Sequence, residues 1–356
     1  MTITKEPIVT TLIPTFRRPD LLRRAIESAL NQTFRDLRVC VYDNASGDAT
    51  ANVVRRLCET DSRVTYFCHP TNIGALANFQ YALAGVKTKY FSFLSDDDYL
   101  LPSFYERAVR QLDSRCTTEF YAANVLHKGP GDRLLRRSLS NYWQSGIFMP
   151  PSGLEAIAER GHSEWTGIVF KTKGALLDGS LREDLGVYTD VEFTLRRAAI
   201  ADYIVDTEPG AVFVTDGAGR KPYSFDWYWP TVERFSASIE SWTGVPTATR
   251  ARITRRYQEQ FVQNCPRLCV QYLVADMPGD AEAAIRYLRF IGNDKYKVNA
   301  MEYLLWGHSR STLFRQLFKL LVLTWRRRFR LRQKFWRKHG TCTVTSDRIT
   351  TLQATN

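Results

Sequence analysis

Three consecutive carboxylates, Asp96, Asp97 and Asp98, close the apolar and aromatic run Tyr90-Phe91-Ser92-Phe93-Leu94-Ser95. The run suits a buried strand, so the acids fall where that strand ends. Adjacent anions repel one another. A divalent cation among them relieves the repulsion, and hard cations such as Mg2+ and Mn2+ take oxygen ligands. The competing reading is an acidic turn ahead of a helix that starts near Pro102. Two more polar clusters also follow apolar runs: Pro14-Thr15-Phe16-Arg17-Arg18 after Ile8 to Ile13, and Asp43-Asn44-Ala45-Ser46-Gly47-Asp48 after Leu37 to Tyr42.

These clusters are positioned by an alternation of elements. Periodicity predicts strands at Ile8 to Ile13, Leu37 to Tyr42, Val64 to Phe67 and Tyr90 to Leu94. It predicts helices after Pro19, with Leu22, Ala25, Ile26 and Ala29 on one face, and over Ala49 to Glu59 and Gly74 to Leu83. This is the pattern of an α/β protein with a parallel sheet covered by helices. Ligands of such sheets lie beyond the carboxyl ends of the strands, so the three clusters should share one crevice. GxGxxG and GxxxxGK[ST] loops are absent, which argues against the standard dinucleotide and P-loop sites.

Five segments carry a specific resemblance. Ile13-Pro14-Thr15-Phe16-Arg17-Arg18, Gln32-Thr33-Phe34, Val41 to Asp48, Asn72-Ile73-Gly74 and Phe93 to Asp98 are similar, in order and spacing, to the signatures of family 2 glycosyltransferases of the GT-A fold. The resemblance covers about residues 7 to 115. It implies a Rossmann-like, mostly parallel sheet with helices on both faces, and a UDP-, dTDP-, GDP- or CDP-sugar donor. It also implies Mn2+ or Mg2+ on the diphosphate and transfer of a hexosyl or deoxyhexosyl group with inversion.

On this resemblance Pro14 and Thr15 lie against the nucleoside, Asp43 bonds the base or ribose, and Asn78 faces the donor. Asp96 contacts the ribose or donor sugar, and Asp97 or Asp98 ligates the metal. Each position also has a plainer reading: a turn or helix cap for Asp43 and Asp48, and a solvated helix residue for Asn78. Many relatives read Leu-Asp-x-Asp-Asp, so Ser95 stands in place of the first carboxylate. Further on, Tyr188 to Ala198 is similar to the family's Glu-Asp-Tyr-Glu-Phe-Trp-Leu-Arg segment, which makes Asp190 the catalytic base. Inverting displacement needs a carboxylate that deprotonates the acceptor hydroxyl. Glu192, Glu183, Asp184 and Glu164 are nearby acids that could take that role, and a helix-start carboxylate is the structural alternative for Asp190.

Beyond residue 115 the expectations rest on pattern. Phe120 to Leu126 and Leu134 to Leu139 read as strands about the turn Gly129 to Asp132, and Trp165 to Lys171 reads as another strand. The family often places an Arg or His stretch after the base helix; here Arg220 and Lys221 occupy it without the His. Tyr223, Phe225, Trp227, Tyr228 and Trp229 suit either stacking on a sugar acceptor or packing. The organisation expected is a GT-A domain over 1–222, with a nucleotide-sugar half to about 115 and an acceptor half after it. A helical region over 223–340 and a disordered tail over 341–356 follow.

Charge and cysteines bound the setting. Of the net +12, nearly all comes from eleven Lys and Arg between Tyr303 and Ser346, a stretch with no acids. The remaining residues carry 38 basic and 37 acidic groups, so no nucleic-acid surface is expected on the main body. Thr231 to Thr243, Thr249 to Ala275 and Asp280 to Ile291 read as helices. Leu313 to Phe329 reads as a cationic amphipathic helix with apolar positions 314, 317, 318, 321, 325 and 329, suited to an anionic membrane surface or to packing on the body. Seven cysteines without CxxC spacing, after an amino terminus that is no signal peptide, suggest reduced thiols and a cytoplasmic protein peripheral on the inner face of the cell membrane. The expected acceptor is a lipid-linked saccharide of bacterial surface polysaccharide assembly. The alternatives are a soluble or protein acceptor, a nucleotidyltransferase, or a non-catalytic sugar-nucleotide-binding protein.

Overall fold

The computed structural model describes residues 6–139, 142–177, 181–215, 222–291 and 295–322. The chain forms two compact units, Met1–Gln263 and Asn264–Asn356.

In the first unit the expected alternation is present: β1 (Val9–Thr15), α1 (Pro19–Leu30), β2 (Leu37–Asp43), α2 (Thr50–Thr60), β3 (Val64–Cys68), α3 (Ala75–Ala84) and β4 (Tyr90–Phe93). Then come β5 (Tyr99–Leu100), α4 (Phe104–Asp113), β6 (Thr118–Gly129), β7 (Arg133–Arg137), β8 (Gly146–Phe148), α5 (Ser152–Arg160), β9 (Ile168–Lys171), α6 (Thr172–Leu177), α7 (Thr189–Ile200) and β10 (Asp202–Val214). Among the described residues one mixed sheet has the order β3-β2-β1-β4-β9-β6-β10-β5, with β7 beside β6 and β8 beside β10. Its strands β3, β2, β1 and β4 run parallel, as do β6 and β10.

The period-2 alternation of strand side chains sorts the core into two layers. Val9, Ile13, Tyr90 and Leu94 pack with Leu22 and Ile26 of α1 and Ala108 of α4. Leu12, Phe91 and Phe93 face the other way, toward Leu83 of α3, Ile157 of α5 and Phe193 of α7. Helices therefore cover both faces, and the strand ends stay free for the polar loops.

Two elements differ from the pattern reading. Trp165–Gly167 is a 3-10 turn ahead of β9, not its first part. Gly167 sits so tightly that a Cβ there would lie 2.4 Å from Val125 Cγ2. Strand β10 gave no sequence signal, because Pro209 and Gly210 interrupt its alternation; the β6–β10 register shifts at those residues.

The helices α8 (Phe225–Glu240) and the first part of α9 (Thr247–Val274) complete the unit. Tyr188 stacks on Phe235 of α8 at 4.7 Å, and Arg234 Nε donates to the Asp184 carbonyl at 2.6 Å. The second unit holds α10 (Pro278–Phe290), α11 (Lys295–Arg310) and a helix over 312–322, here α12. Phe314 and Phe318 of α12 stack on each other, and Phe318 is buried. On α12 the exposed apolar residues are Leu313, Leu317, Leu320 and Leu321; Tyr303 and Trp306 on α11 and Phe290 at the end of α10 are exposed as well. Positions 325 and 329, most of the basic stretch and the expected tail lie outside the described residues. No described helix is long and apolar enough to cross a membrane. The described cysteines are free thiols.

Candidate active site

Parallel pairing sets Thr15 opposite Asp43 at the carboxyl ends of β1 and β2. Thr15 Oγ1 donates to Asp96 Oδ2 at 2.8 Å, and the Asn44 N–H to the Thr15 carbonyl at 3.0 Å. The Arg17 N–H donates to Ser46 Oγ at 2.8 Å, and Asn44 Oδ1 accepts from the Ile73 N–H at 2.8 Å. The clusters at 14–18, 43–48, 72–74 and 95–98 are thus one bonded structure. Arg17 (φ 57°) and Ala45 (φ 62°) hold left-handed conformations there. Such strain persists only where the surroundings over-determine it, as binding sites do.

Within this crevice the expected residues differ in how much of their chemistry is already engaged. Asp43 accepts from the Ser46 N–H at 2.9 Å and from Tyr66 Oη at 2.6 Å. Asn78 donates to the Tyr42 carbonyl at 2.9 Å and lies 3.0 Å from His69 Nε2. Both are buried and brace the loops. Asp48 accepts from the Thr50 N–H at the mouth of α2. Pro14 is buried within β1. Arg18, not singled out from sequence, bridges Asp96 at 3.0 Å and Asp97 at 2.6 Å. Burial alone would lower its pKa, but the two carboxylates outweigh that and raise it. Burial likewise raises Asp96, with Thr15 and Arg18 opposing.

Asp98 is set apart from its neighbours. It is fully buried; Oδ1 accepts from the Val214 N–H of β10 at 2.9 Å, while Oδ2 has no hydrogen-bond partner. Burial pushes its carboxyl up to about 8, with the charges of Asp97 and Glu164 adding to the effect. Glu164 precedes the Trp165–Gly167 turn. Its Oε1 lies 2.5 Å from His127 Nε2 of β6 and 3.3 Å from Arg136, and its Oε2 is buried without a partner. Burial would raise Glu164, yet His127 holds it below the ordinary range.

Asp190 is half-buried at the start of α7, where its Oδ1 accepts from the Val191 N–H. Burial raises its carboxyl; His162 opposes the shift and the charge of Glu164 adds to it. Glu164 therefore stands within electrostatic reach of both Asp98, after β4, and Asp190, on α7. His127 carried no sequence signal, since one histidine in a strand has no distinguishing spacing. Glu192 is buried and bound to Arg196 at 3.0 Å and Ser238 at 3.2 Å. Of the aromatic cluster, Phe225 is buried and Tyr228 and Trp229 pack on Phe261; Tyr223 and Trp227 are exposed and stacked at 4.4 Å. Trp227 lies against Gly186, where an added Cβ would sit 2.6 Å from the indole and where φ is 54°, a conformation that favours glycine. Arg220 and Lys221 lie outside the described residues.

The family profile described as "Glycosyl transferase family 2" matches residues 10–200, more than half of the chain. The chain belongs to glycosyl transferase family 2. Within it, the chain is 38% identical over 96 residues to a GalNAc(5)-diNAcBac-PP-undecaprenol beta-1,3-glucosyltransferase of Campylobacter jejuni, covering 27% of this chain and 31% of the relative. It is 33% identical over 109 residues to a hyaluronan synthase of Pasteurella multocida, covering 31% of this chain and 11% of the relative. The chain thus spans about a third or less of the length of these curated relatives. Among solved structures, S. aureus TarS 1-349 in complex with UDP superposes with a TM-score of 0.60 at 15% identity, over 83% of this chain and 89% of that one. This likeness shows the fold: the mixed α/β sheet is of the GT-A type expected for family 2.

A divalent cation is what the family resemblance implies at the three aspartates. Among the described residues no group of three His, Cys, Asp or Glu side chains is arranged to hold a metal. Such a cage is not required where a bound diphosphate supplies oxygens, because Mg2+ sites commonly combine one or two carboxylates with substrate phosphates. Asp98 fits that provision, since Oδ2 is a hard donor buried without a partner. Asp97 Oδ2 is held by Arg18.

Proposed function

We propose that this chain is an inverting glycosyltransferase that moves a hexosyl or deoxyhexosyl group from a nucleotide-sugar to a hydroxyl of a lipid-linked saccharide, as in bacterial surface polysaccharide synthesis. The observation that supports it most is the bonded crevice at the ends of β1, β2 and β4, which brings Thr15, Ser46 and Asp96 together. The printed name of the Campylobacter jejuni relative includes a lipid diphosphate carrier, which supports the acceptor class.

In this reading Pro14, Thr15 and Asp43 line the nucleoside pocket, Asn78 orders its wall and Asp96 meets the ribose or donor sugar. Asp98, with Asp97 beside it, would hold Mn2+ or Mg2+. When bound, such a cation offsets negative charge on the departing diphosphate. Asp190 takes the proton of the acceptor hydroxyl as that oxygen attacks from the face opposite the leaving group. A carboxyl raised by burial is a stronger base once ionised, which suits the task. The exposed Tyr223–Trp227 stack offers an aromatic face to the acceptor sugar close to the turn that leads to Asp190.

The second unit supports a peripheral membrane location. Its described surface carries Trp306 under Arg310, with Leu313, Leu317, Leu320 and Leu321 exposed beyond them, and the sequence continues into the basic stretch. Apolar and cationic side chains on one helical segment suit an anionic bilayer surface.

Turnover of UDP-, dTDP-, GDP- and CDP-sugars with Mn2+ and a lipid-diphosphate-linked saccharide tests the reading. Release of nucleoside diphosphate and an inverted glycosidic bond are expected. Asp190→Asn should slow transfer by roughly 100- to 10,000-fold with donor binding retained. Release of pyrophosphate would make the chain a nucleotidyltransferase, and near-normal transfer by the Asn variant would remove Asp190 as the base.

A further inference from the structure

Two buried carboxylate oxygens from two loops, Asp98 Oδ2 and Glu164 Oε2, have no close hydrogen-bond partner, and Thr166 Oγ1 is buried beside the Asp98 carboxyl. Asp98 is 0% and Thr166 3% exposed, so bulk water does not reach them. An unpartnered buried acceptor costs on the order of 1–3 kcal/mol, and more when charged. The fold puts them together. The turn after Glu164 packs against β4, β5, β6 and β10; β5 starts at the residue after Asp98, and β10 supplies the N–H that Asp98 binds. Thr166 stands at hydrogen-bonding reach of the Asp98 carboxyl, and the charge of Glu164 repels it.

Glu164 is also held as a ligand would be. His127 and Arg136 both engage Oε1, which leaves the buried Oε2 unengaged. Ligating carboxylates are commonly oriented by such outer partners. A cation between Asp98 and Glu164 would partner both free carboxylate oxygens and favour the ionised form of Asp98 over the protonated one.

We propose that Glu164, from the acceptor half, is a ligand of the cation at Asp98, with Thr166 Oγ1 as a neutral oxygen beside it and His127 as its orienting partner. The proposal rests on the donor reading above and adds to it a ligand outside the three-aspartate run. It makes the cation a joint between the donor-binding strands and the turn that precedes β9.

Calorimetric titration of Mn2+ into the full chain, saturated with the nucleoside diphosphate that the turnover screen identifies, tests it without turnover. Glu164→Gln keeps the shape and an oxygen for His127, and should weaken Mn2+ by about 10- to 100-fold while nucleotide affinity without metal stays unchanged. His127→Gln should weaken Mn2+ less than Glu164→Gln does; it supplies the test if the first variant fails to fold. Unchanged Mn2+ affinity in a folded variant overturns the proposal alone. If the wild type binds nucleotide but no Mn2+, the metal reading falls and this proposal with it.

Discussion

Asp98→Asn isolates the most perturbed carboxyl of the crevice in the metal-free protein. In the fold Asp98 titrates near 8, against an ordinary value of 3.8. Between about pH 4 and pH 8 it is therefore protonated when folded and ionised when unfolded. The unfolded chain binds fewer protons, so stability falls as pH rises; the contribution is complete below about pH 4 and is lost through about pH 8. At about 1.36 kcal/mol per unit, the loss between pH 4 and pH 7 is about 4 kcal/mol. The groups facing Asp98 are Asp97, Glu164, Thr166 and the Val214 N–H, and all are unchanged in the variant. Asn keeps an oxygen for Val214 and offers its amide to Thr166 without titrating. Urea unfolding of both proteins in EDTA, followed by circular dichroism from pH 4 to pH 7, should show the variant gaining on the wild type by about 4 kcal/mol. Curves that stay parallel within about 1 kcal/mol would refute the burial argument.

Gly210→Ala should cost about 1–3 kcal/mol of stability in thermal unfolding, because the added Cβ would lie 2.5 Å from Phe104 Cδ2 and 2.6 Å from Ala123 Cβ; an unchanged midpoint would show that β10 can shift freely against α4. A chain ending at Arg310 should lose most of its co-sedimentation with anionic vesicles, since each basic side chain near such a surface contributes about 1 kcal/mol. The full chain should be partly released at about 1 M salt, where screening shortens to about 3 Å, with insertion of the exposed leucines leaving the remainder. Equal sedimentation of the two chains would assign the C-terminal helices to another partner.

The first hundred residues were readable because there local pattern and tertiary demand agree. Leu22, Ala25, Ile26 and Ala29 are one helical face and one buried layer, and the alternation of Val9, Leu12 and Ile13 matches the two faces of the sheet. The convergence of Thr15, Asp43 and Asp96 followed from strand-end topology alone. Distant pairings leave no such trace. His127 and Glu164 are 37 positions apart, and Asp98 and Val214 116 apart; neither spacing is periodic. On α12 the sequence placed 314, 317, 318 and 321 on one apolar face, but the Phe314–Phe318 stack turns inward and leaves Leu313, Leu317, Leu320 and Leu321 exposed. Periodicity finds an apolar stripe; it does not say which edge of the stripe a neighbour covers.

The hydrogen bond from Val214 to Asp98 has a consequence for synthesis. The loop that follows β4 is complete in sequence by residue 98, yet its buried acid is tethered by β10, and β5 pairs with the same strand at Ala211 and Val212. A nascent chain can lay down β1 to β4 and close their polar loops while more than a hundred residues are still to come. Its three aspartates then stand at an unfinished sheet edge, open to water and to any ion in reach. Only when β10 has left the ribosome can Asp98 gain this bond, so the burial of the acid waits on a strand more than a hundred residues downstream.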